Sequence, residues 1–348
     1  MAKKIKKEIK VAKGPSEKKF KVAINGFGRI GKQFFLAAIK QGVQWEFIIN
    51  EPGELDFVVY SLNYDSVHPP TEERAMHDGK MLYYGDKKIK VYNELDISKL
   101  PWGKEKVNLV VDCTGRFTDA KDARKHIDIG AGKVLISAPA KGNEVTIIPG
   151  VNDSMLKPEH KIVSAGSCTT NCVAPIIKVL NDNFNIKNAQ FITTHAYTAT
   201  QKLIDSQDKK DFRRGRAAAL NISPSTSGAS QSVIEAIPEM KGKLDGYALR
   251  VPVADGSIAS IIAEVERKVS AKEVNGLFKK MAEKSKGILQ FTKDQIVSSD
   301  VIGNVASCVF DSSLTSVNGN LVSVAGWYDN EIGYSNRLVD VARMMLEK

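Results

Sequence analysis

The chain has 348 residues, 43% hydrophobic and 26% charged, which gives room for two domains with their own cores and excludes a low-hydrophobicity disordered protein. Its four cysteines (Cys113, Cys168, Cys172, Cys308) are too few and too scattered for a disulfide framework, and no apolar run reaches the ~18–20 residues of a membrane span. A cytoplasmic protein with no metal and no membrane contact is expected.

The net charge of +10 lies largely in residues 1–19, which hold eight lysines against two glutamates and read as a disordered basic tail. Lysines also stand where a secretory leader would be apolar. Without base-reading or stacking side chains such a tail attracts polyanions only unspecifically, so no specific nucleic-acid partner is expected. The first strand, 22–25, runs into Gly26-Phe27-Gly28-Arg29-Ile30-Gly31, then a helical stretch over 32–40 and a second strand over 45–50 that ends at Glu51. Gly-x-Gly-x-x-Gly between strand and helix serves a pyrophosphate: the first glycine turns, the second admits the phosphates and the third lets helix and strand pack closely. A carboxylate about 20 residues further on is the ribose partner of such a unit, which makes Glu51 the candidate.

Buried-type strands follow at 107–112, running into Cys113-Thr114-Gly115, at 133–137, closed by Ala138-Pro139, and at 162–164. Alternation of strands with helices or loops predicts a parallel sheet. The last strand leads through Ala165-Gly166 into Ser167-Cys168-Thr169-Thr170-Asn171-Cys172 and an apolar helix over 173–180. Cys168 then sits at a helix N-terminus, where free N–H groups and the dipole favour a thiolate. After position 190 the pattern alternates, at 190–195, 257–264 and 321–325, with a helix at 271–284. This half reads as mixed or antiparallel sheet with helices on one side. The chain end, with Leu338, Val341, Ala342 and Met345 on one face, predicts an amphipathic helix. The predicted fold is therefore α/β, a Rossmann-type dinucleotide-binding domain (20–167) followed by an α+β catalytic domain (168–331) and a C-terminal helix (332–348) that packs back on the first.

His195 ends an alternating strand beside threonine hydroxyls, in the place an imidazole must occupy to serve a cysteine nucleophile. Arg250, inside an apolar strand, requires an anion. Arg214 lies in a basic run, and Ser225-Thr226-Ser227-Gly228-Ala229 offers hydroxyls and N–H groups to a phosphate.

Together, Asn25 to Gly31, Ser167 to Cys172, His195 with Thr198-Ala199-Thr200-Gln201, Arg250-Val251-Pro252 and Trp327-Tyr328-Asp329-Asn330-Glu331 resemble, in order and spacing, the phosphorylating glyceraldehyde-3-phosphate dehydrogenases. The resemblance covers residues 20 to 348. It implies a cytoplasmic, glycolytic, NAD-dependent homotetramer that oxidises glyceraldehyde 3-phosphate with inorganic phosphate to 1,3-bisphosphoglycerate. Cys168 would be the nucleophile and His195 the base. Thr198 and Arg250 would hold the substrate phosphate, Ser167, Thr169, Ser227 and Gly228 the attacking phosphate, and Arg214 would bridge them. For NAD, Gly26, Gly28 and Gly31 would form the loop, Arg29 and Ile30 cover the pyrophosphate, Glu51 the ribose, Ser137 the nicotinamide side and Asn330 the carboxamide.

Three positions depart from the family pattern: Glu51 where NAD-using members usually carry aspartate, Leu95 where a basic residue is often found, and Ser227 for a threonine. The alternatives are an erythrose-4-phosphate dehydrogenase, which lacks the Thr-Ala-Thr-Gln run and the Ser/Thr-Gly-Ala loop, and a non-enzymatic binding protein, against which intact Cys168 and His195 speak. Deleting residues 1–19 should leave turnover and assembly unchanged, because the tail precedes the first strand and lacks core-forming residues. Steady-state rates and sedimentation of the truncated chain check this, and loss of either contradicts it.

Overall fold

The computed structural model describes residues 20–69, 73–208 and 211–348; the basic tail lies outside the described residues. Lys21–Asn25 forms the central strand of a nine-stranded sheet, flanked in parallel by Glu46–Asn50 on one side and Leu109–Asp112 on the other. Lys133–Ile136 and Ile162–Ser164 extend the second side, and Lys87–Tyr92 extends the first. Apart from Lys87–Tyr92, which is only partly buried, these strands are short, Val/Ile/Leu-rich and almost wholly buried, as a sheet covered on both faces requires. Strand order reverses at Lys21–Asn25, which opens a crevice at the carboxyl ends of the strands. Gly26, Glu51, Cys113, Ser137 and the segment leading to Cys168 all follow carboxyl ends of strands of this sheet. The hairpin of Ala75–His77 and Met81–Tyr84 closes one edge antiparallel.

A second sheet of eight strands is mixed. Ile186–Ala196 lies inside it, paired in parallel with Leu244–Val251 and antiparallel with the middle strand Ser257–Val265, which in turn pairs with Leu321–Tyr328. Ser257–Val265 alternates between buried and more exposed residues, so the sheet buries one face. On that face Phe191, Ile261, Ala263 and Val324 share one core with Val173, Ile176 and Ile177 of the helix Cys168–Phe184, Val233 of Ala229–Ala236 and Phe278 of Ala271–Lys284. The other face leaves Tyr247 and Ile262 exposed.

The final helix, Ile332–Glu347, belongs to the first core. Tyr334, Leu338, Val339, Val341, Ala342 and Met345 join Phe34, Phe35 and Phe47 there. Lys133 Nζ donates to Met345 O at 2.7 Å, and Gln41 bonds Asn336 at 2.9 Å.

The glycine-rich turn shows why each glycine is present. Gly26 has φ +87°, and a Cβ on it would lie 2.9 Å from Thr114 Cγ2. A Cβ on Gly31 would meet Gly26 O at 2.0 Å, whereas one on Gly28 would meet nothing within 4 Å. The loop therefore packs tightly on two sides and is open on the third. Gly31→Ala should destabilise the protein by at least about 1–3 kcal/mol, the ordinary cost of overpacking, because the obstacle is backbone rather than a movable side chain. Denaturant unfolding measures this, and a stability unchanged within error would contradict it.

Candidate active site

The strand Ile162–Ser164 ends at a turn in which Gly166 takes φ +63°, where a Cβ would press on Ile148 and Thr170. Ser167 then caps the helix Cys168–Phe184: its Oγ accepts from Thr170 N at 3.0 Å, and Thr170 Oγ1 accepts from Ser167 N at 3.1 Å. Cys168 is thus the first helical residue, part-buried, with the helix N-terminus at its sulfur. Cys168 Sγ lies 3.4 Å from His195 Nε2.

His195 is 3% exposed on the strand Ile186–Ala196. Its Nδ1 is 2.7 Å from Ala196 O, a contact only an N–H can make favourably, so Nδ1 carries the proton and Nε2 presents a lone pair to the thiol. Arg250 is the register partner of His195 on the neighbouring strand, which places its Nη1 2.8 Å from Nδ1 and 3.3 Å from Ala196 O. Two donors cannot bond each other, so among the described residues the guanidinium is held by the carbonyl.

Burial pushes the Cys168 thiol up, to about 11, against the pull of Arg250 and of the Thr169 N–H and hydroxyl. Burial likewise holds the His195 imidazole down, to about 3, and the charge of Arg250 adds to this. Each group alone stays neutral, which opposes the thiolate expected from the helix terminus. Passing the proton from Sγ to Nε2, however, creates two opposite charges in contact where water is scarce, so the pair titrates as a unit.

Arg250 has no carboxylate partner among the described residues, and burial lowers its pKa. It lines a small cleft with Arg214, Thr200, Gln201, Ser223 and Ser225. The side-chain oxygen and nitrogen of Gln201 and the Ser225 hydroxyl are buried there with no hydrogen-bond partner among the described residues. Two guanidinium groups and unpaired polar atoms in one cleft call for an anion. Thr198 bonds Thr200 at 2.9 Å beside it. Ser227 and Gly228 stand at the N-terminus of Ala229–Ala236, where Gly228 faces Pro139. The Thr169 hydroxyl turns inward to Tyr328 OH at 2.9 Å, which leaves the start of the helix to offer N–H groups and Ser167.

On the cofactor side, Gly28 caps Arg29–Lys40 without a side-chain bond, so first-turn N–H groups face the open side of the loop. The Arg29 guanidinium turns away: Nε bonds Glu331 Oε1 at 2.9 Å and Nη1 bonds Asp65 Oδ2 at 2.6 Å. The side chain is thus committed to these two carboxylates, and any contact of Arg29 with a pyrophosphate would be through its backbone. Glu51 folds onto the loop, Oε2 accepting from Phe27 N at 2.6 Å. Ser137 follows the strand end beside Cys113, and Leu95 is exposed.

Sequence reasoning missed several residues here. Tyr328, buried on Leu321–Tyr328, joins Thr169 to Thr193 (2.7 Å) and meets the His195 ring edge-on at 5.9 Å. His68 Nε2 lies 3.0 Å from Glu331 and 3.3 Å from Asp255, whose carboxyl is pushed up to about 8 by burial and by Asp329. Tyr328, Asp329 and Glu331 belong to one sequence run, Trp327 to Glu331, and only the fold brings His68 and Asp255 to it.

A parallel nucleotide-binding sheet whose strand ends meet a cysteine–histidine pair and an arginine-lined cleft defines a class of cysteine-dependent, dinucleotide-using dehydrogenases. A family model for the NAD binding domain of glyceraldehyde 3-phosphate dehydrogenase matches residues 20–120, and one for its C-terminal domain matches residues 167–330. The glyceraldehyde-3-phosphate dehydrogenase of Streptomyces coelicolor is 48% identical over 326 residues, 92% of this chain and 97% of the relative. Glyceraldehyde-3-phosphate dehydrogenase 1 of Bacillus subtilis is 45% identical over 331 residues, 94% and 98% of the two chains. The enzyme of Geobacillus stearothermophilus is 44% identical over the same span. The chain belongs to the glyceraldehyde-3-phosphate dehydrogenase family, and its cofactor is NAD.

If His195 takes the thiol proton, its removal leaves burial opposed only by Arg250 and Thr169, without a proton acceptor. His195→Asn should lower turnover by roughly 10²–10⁴ and move the alkylation profile of Cys168 to higher pH; an unchanged profile contradicts the pairing. Cys168→Ala should abolish turnover and leave NAD binding, whereas Cys172→Ala, in the core, should cost only stability.

Proposed function

We propose that this chain catalyses the NAD-dependent oxidation and phosphorylation of glyceraldehyde 3-phosphate to 1,3-bisphosphoglycerate through a thioester on Cys168. The Sγ–Nε2 contact at a capped helix N-terminus carries the reading. Cys168 sulfur attacks the aldehyde carbon as its proton passes to His195, which hands the same proton to the hemithioacetal oxygen and is left neutral. NAD, when bound, supplies a hydride acceptor. As the C–H electron pair leaves with the hydride, His195 takes the hydroxyl proton and the carbonyl of the thioester forms. Inorganic phosphate then attacks that carbonyl, the C–S bond breaks, and the acyl phosphate leaves with the thiol restored.

The substrate phosphate is assigned to Arg250 and Thr198, the attacking phosphate to Ser167, Thr169, Ser227 and Gly228, and Arg214 to both. An anion beside Arg250 offsets the charge that weakens His195, so a bound substrate strengthens its own base. For NAD, the loop glycines with Arg29 and Ile30 take the pyrophosphate, Glu51 the ribose, Ser137 the nicotinamide side and Asn330 the carboxamide. The domain division is assigned at Cys168, with 332–348 counted to the first domain.

A cytoplasmic homotetramer is part of the proposal. Leu203, Ile204, Phe212, Leu220 and Ile222 project from the segment after His195, and Phe57, Tyr60 and Tyr64 project from the helix Leu55–Asn63 and its end, all more than half exposed. Apolar surface of this extent in a single chain calls for a second copy. Among the described residues no helix is long and apolar enough to cross a membrane.

Absorbance of reduced cofactor with glyceraldehyde 3-phosphate, NAD and phosphate should rise steadily, and without phosphate should stop after about one turnover per site. Steady turnover without phosphate contradicts the thioester route. Glu51 adds a test of cofactor choice, since its carboxylate repels a 2′-phosphate. Glu51→Ser should improve catalytic efficiency with NADP more than it weakens that with NAD; a wild-type enzyme that uses both equally contradicts the assignment.

A further inference from the structure

Ser257 begins the strand Ser257–Val265 and is 1% exposed. Two groups of the site meet on its hydroxyl. Ala196 N donates to Ser257 Oγ at 3.1 Å, and Ser257 Oγ lies 2.7 Å from Asn330 Oδ1. Ala196 is the residue whose carbonyl fixes the His195 tautomer.

The direction of this relay follows from donor counting. A backbone N–H only donates, so Oγ accepts from Ala196, and the Ser257 proton goes to Asn330 Oδ1. Turning the amide over would set Asn330 nitrogen against Oγ and leave that proton with no acceptor among the described residues, at the cost of a buried unsatisfied donor. Asn330 Nδ2 has no protein acceptor among the described residues and is not enclosed, so both its hydrogens are free for a ligand. The backbone N–H of Asn330, held by Asp255 Oδ1 at 3.3 Å, fixes the rest of the residue.

We propose that Ser257 is a positioning residue that sets the Asn330 amide with its nitrogen toward the cofactor, so that the site reads the carbonyl oxygen of the nicotinamide carboxamide as an acceptor. The inference rests on the assignment of Asn330 to the carboxamide. It ties cofactor reading to the strand that carries His195 through one hydroxyl.

The probe is the thionicotinamide analogue of NAD, whose sulfur accepts hydrogen bonds poorly, compared with NAD itself on the holoenzyme. Wild type should favour NAD over the analogue in kcat/KM, and Ser257→Ala should reduce that preference about five- to tenfold, chiefly by raising KM for NAD. KM for glyceraldehyde 3-phosphate should stay within twofold. Ser257→Thr, which keeps the hydroxyl, should restore the preference. If the alanine variant does not fold, Ser257→Cys, of similar size and a weak donor, is measured in its place with the same expectation. Asn330→Ala separates the two layers of the argument. If it lowers the preference while Ser257→Ala and Ser257→Cys keep it at the wild-type value, the role of Ser257 is overturned. If Asn330→Ala also keeps the wild-type preference, the carboxamide assignment itself fails.

Discussion

The constraint on which the site depends is that two separately cored domains must meet at one helix start. Cys168 begins a helix whose body packs in the second core, yet the turn before it closes a strand of the first sheet. Tyr334, from the C-terminal helix in the first core, donates to Gly166 O at 2.8 Å and holds that turn from the other side. Arg29, at the start of the nucleotide-binding helix, binds Glu331, the residue immediately before the C-terminal helix. Burial works against the charge of Arg29, and its bonds to Glu331 and Asp65 more than offset this, so the clamp keeps its charge.

Charge explains the rest of the site. Burying an unpaired guanidinium is expensive, and here two arginines share a cleft without a carboxylate on Arg250. The fold tolerates this because the strand pair that places Arg250 beside His195 is fixed by eight consecutive register partners. An anion in the cleft would relieve this cost and offset the charge that depresses the imidazole, so the proposed substrate phosphate would link binding to base strength through one side chain.

The nucleotide-binding half was the more legible in sequence, because it depends on local pattern. Glycines forced by a turn, a close approach and an open face, and buried strands with continuous apolar runs, leave signatures within a few residues. The first-turn position of Cys168 was legible for the same reason, from Gly166 and Ser167. The hairpin of Ala75–His77 and Met81–Tyr84 and the helix Leu55–Asn63 were not read, since an edge hairpin of mixed exposure and a helix with Phe57 and Tyr60 turned outward lack a clean period. The inward turn of the Thr169 hydroxyl, the Arg29 clamp and the His68–Asp255–Glu331 cluster depend on contacts between residues far apart in the chain. So does the burial that sets the thiol against ionisation: the helix terminus was visible in the sequence, the surrounding core was not.

That opposition also separates two cysteines one helical turn apart. Cys172 is fully buried, its Sγ 3.5 Å from Gly326 O, and burial together with Cys308 beside it pushes its thiol well up. Among the described residues it has no imidazole to receive a proton and no guanidinium nearby to stabilise an anion. Cys168 suffers the same desolvation but meets His195 Nε2, the Thr169 N–H and the charge of Arg250. Gly326 keeps the inert pair packed, because a Cβ there would lie 2.4 Å from Cys308 Sγ and 3.3 Å from Cys172 Sγ. The reactivity proposed for Cys168 therefore rests on the strand that brings His195 and the strand that brings Arg250, and not on the helix terminus alone, which Cys172 lies only one turn beyond.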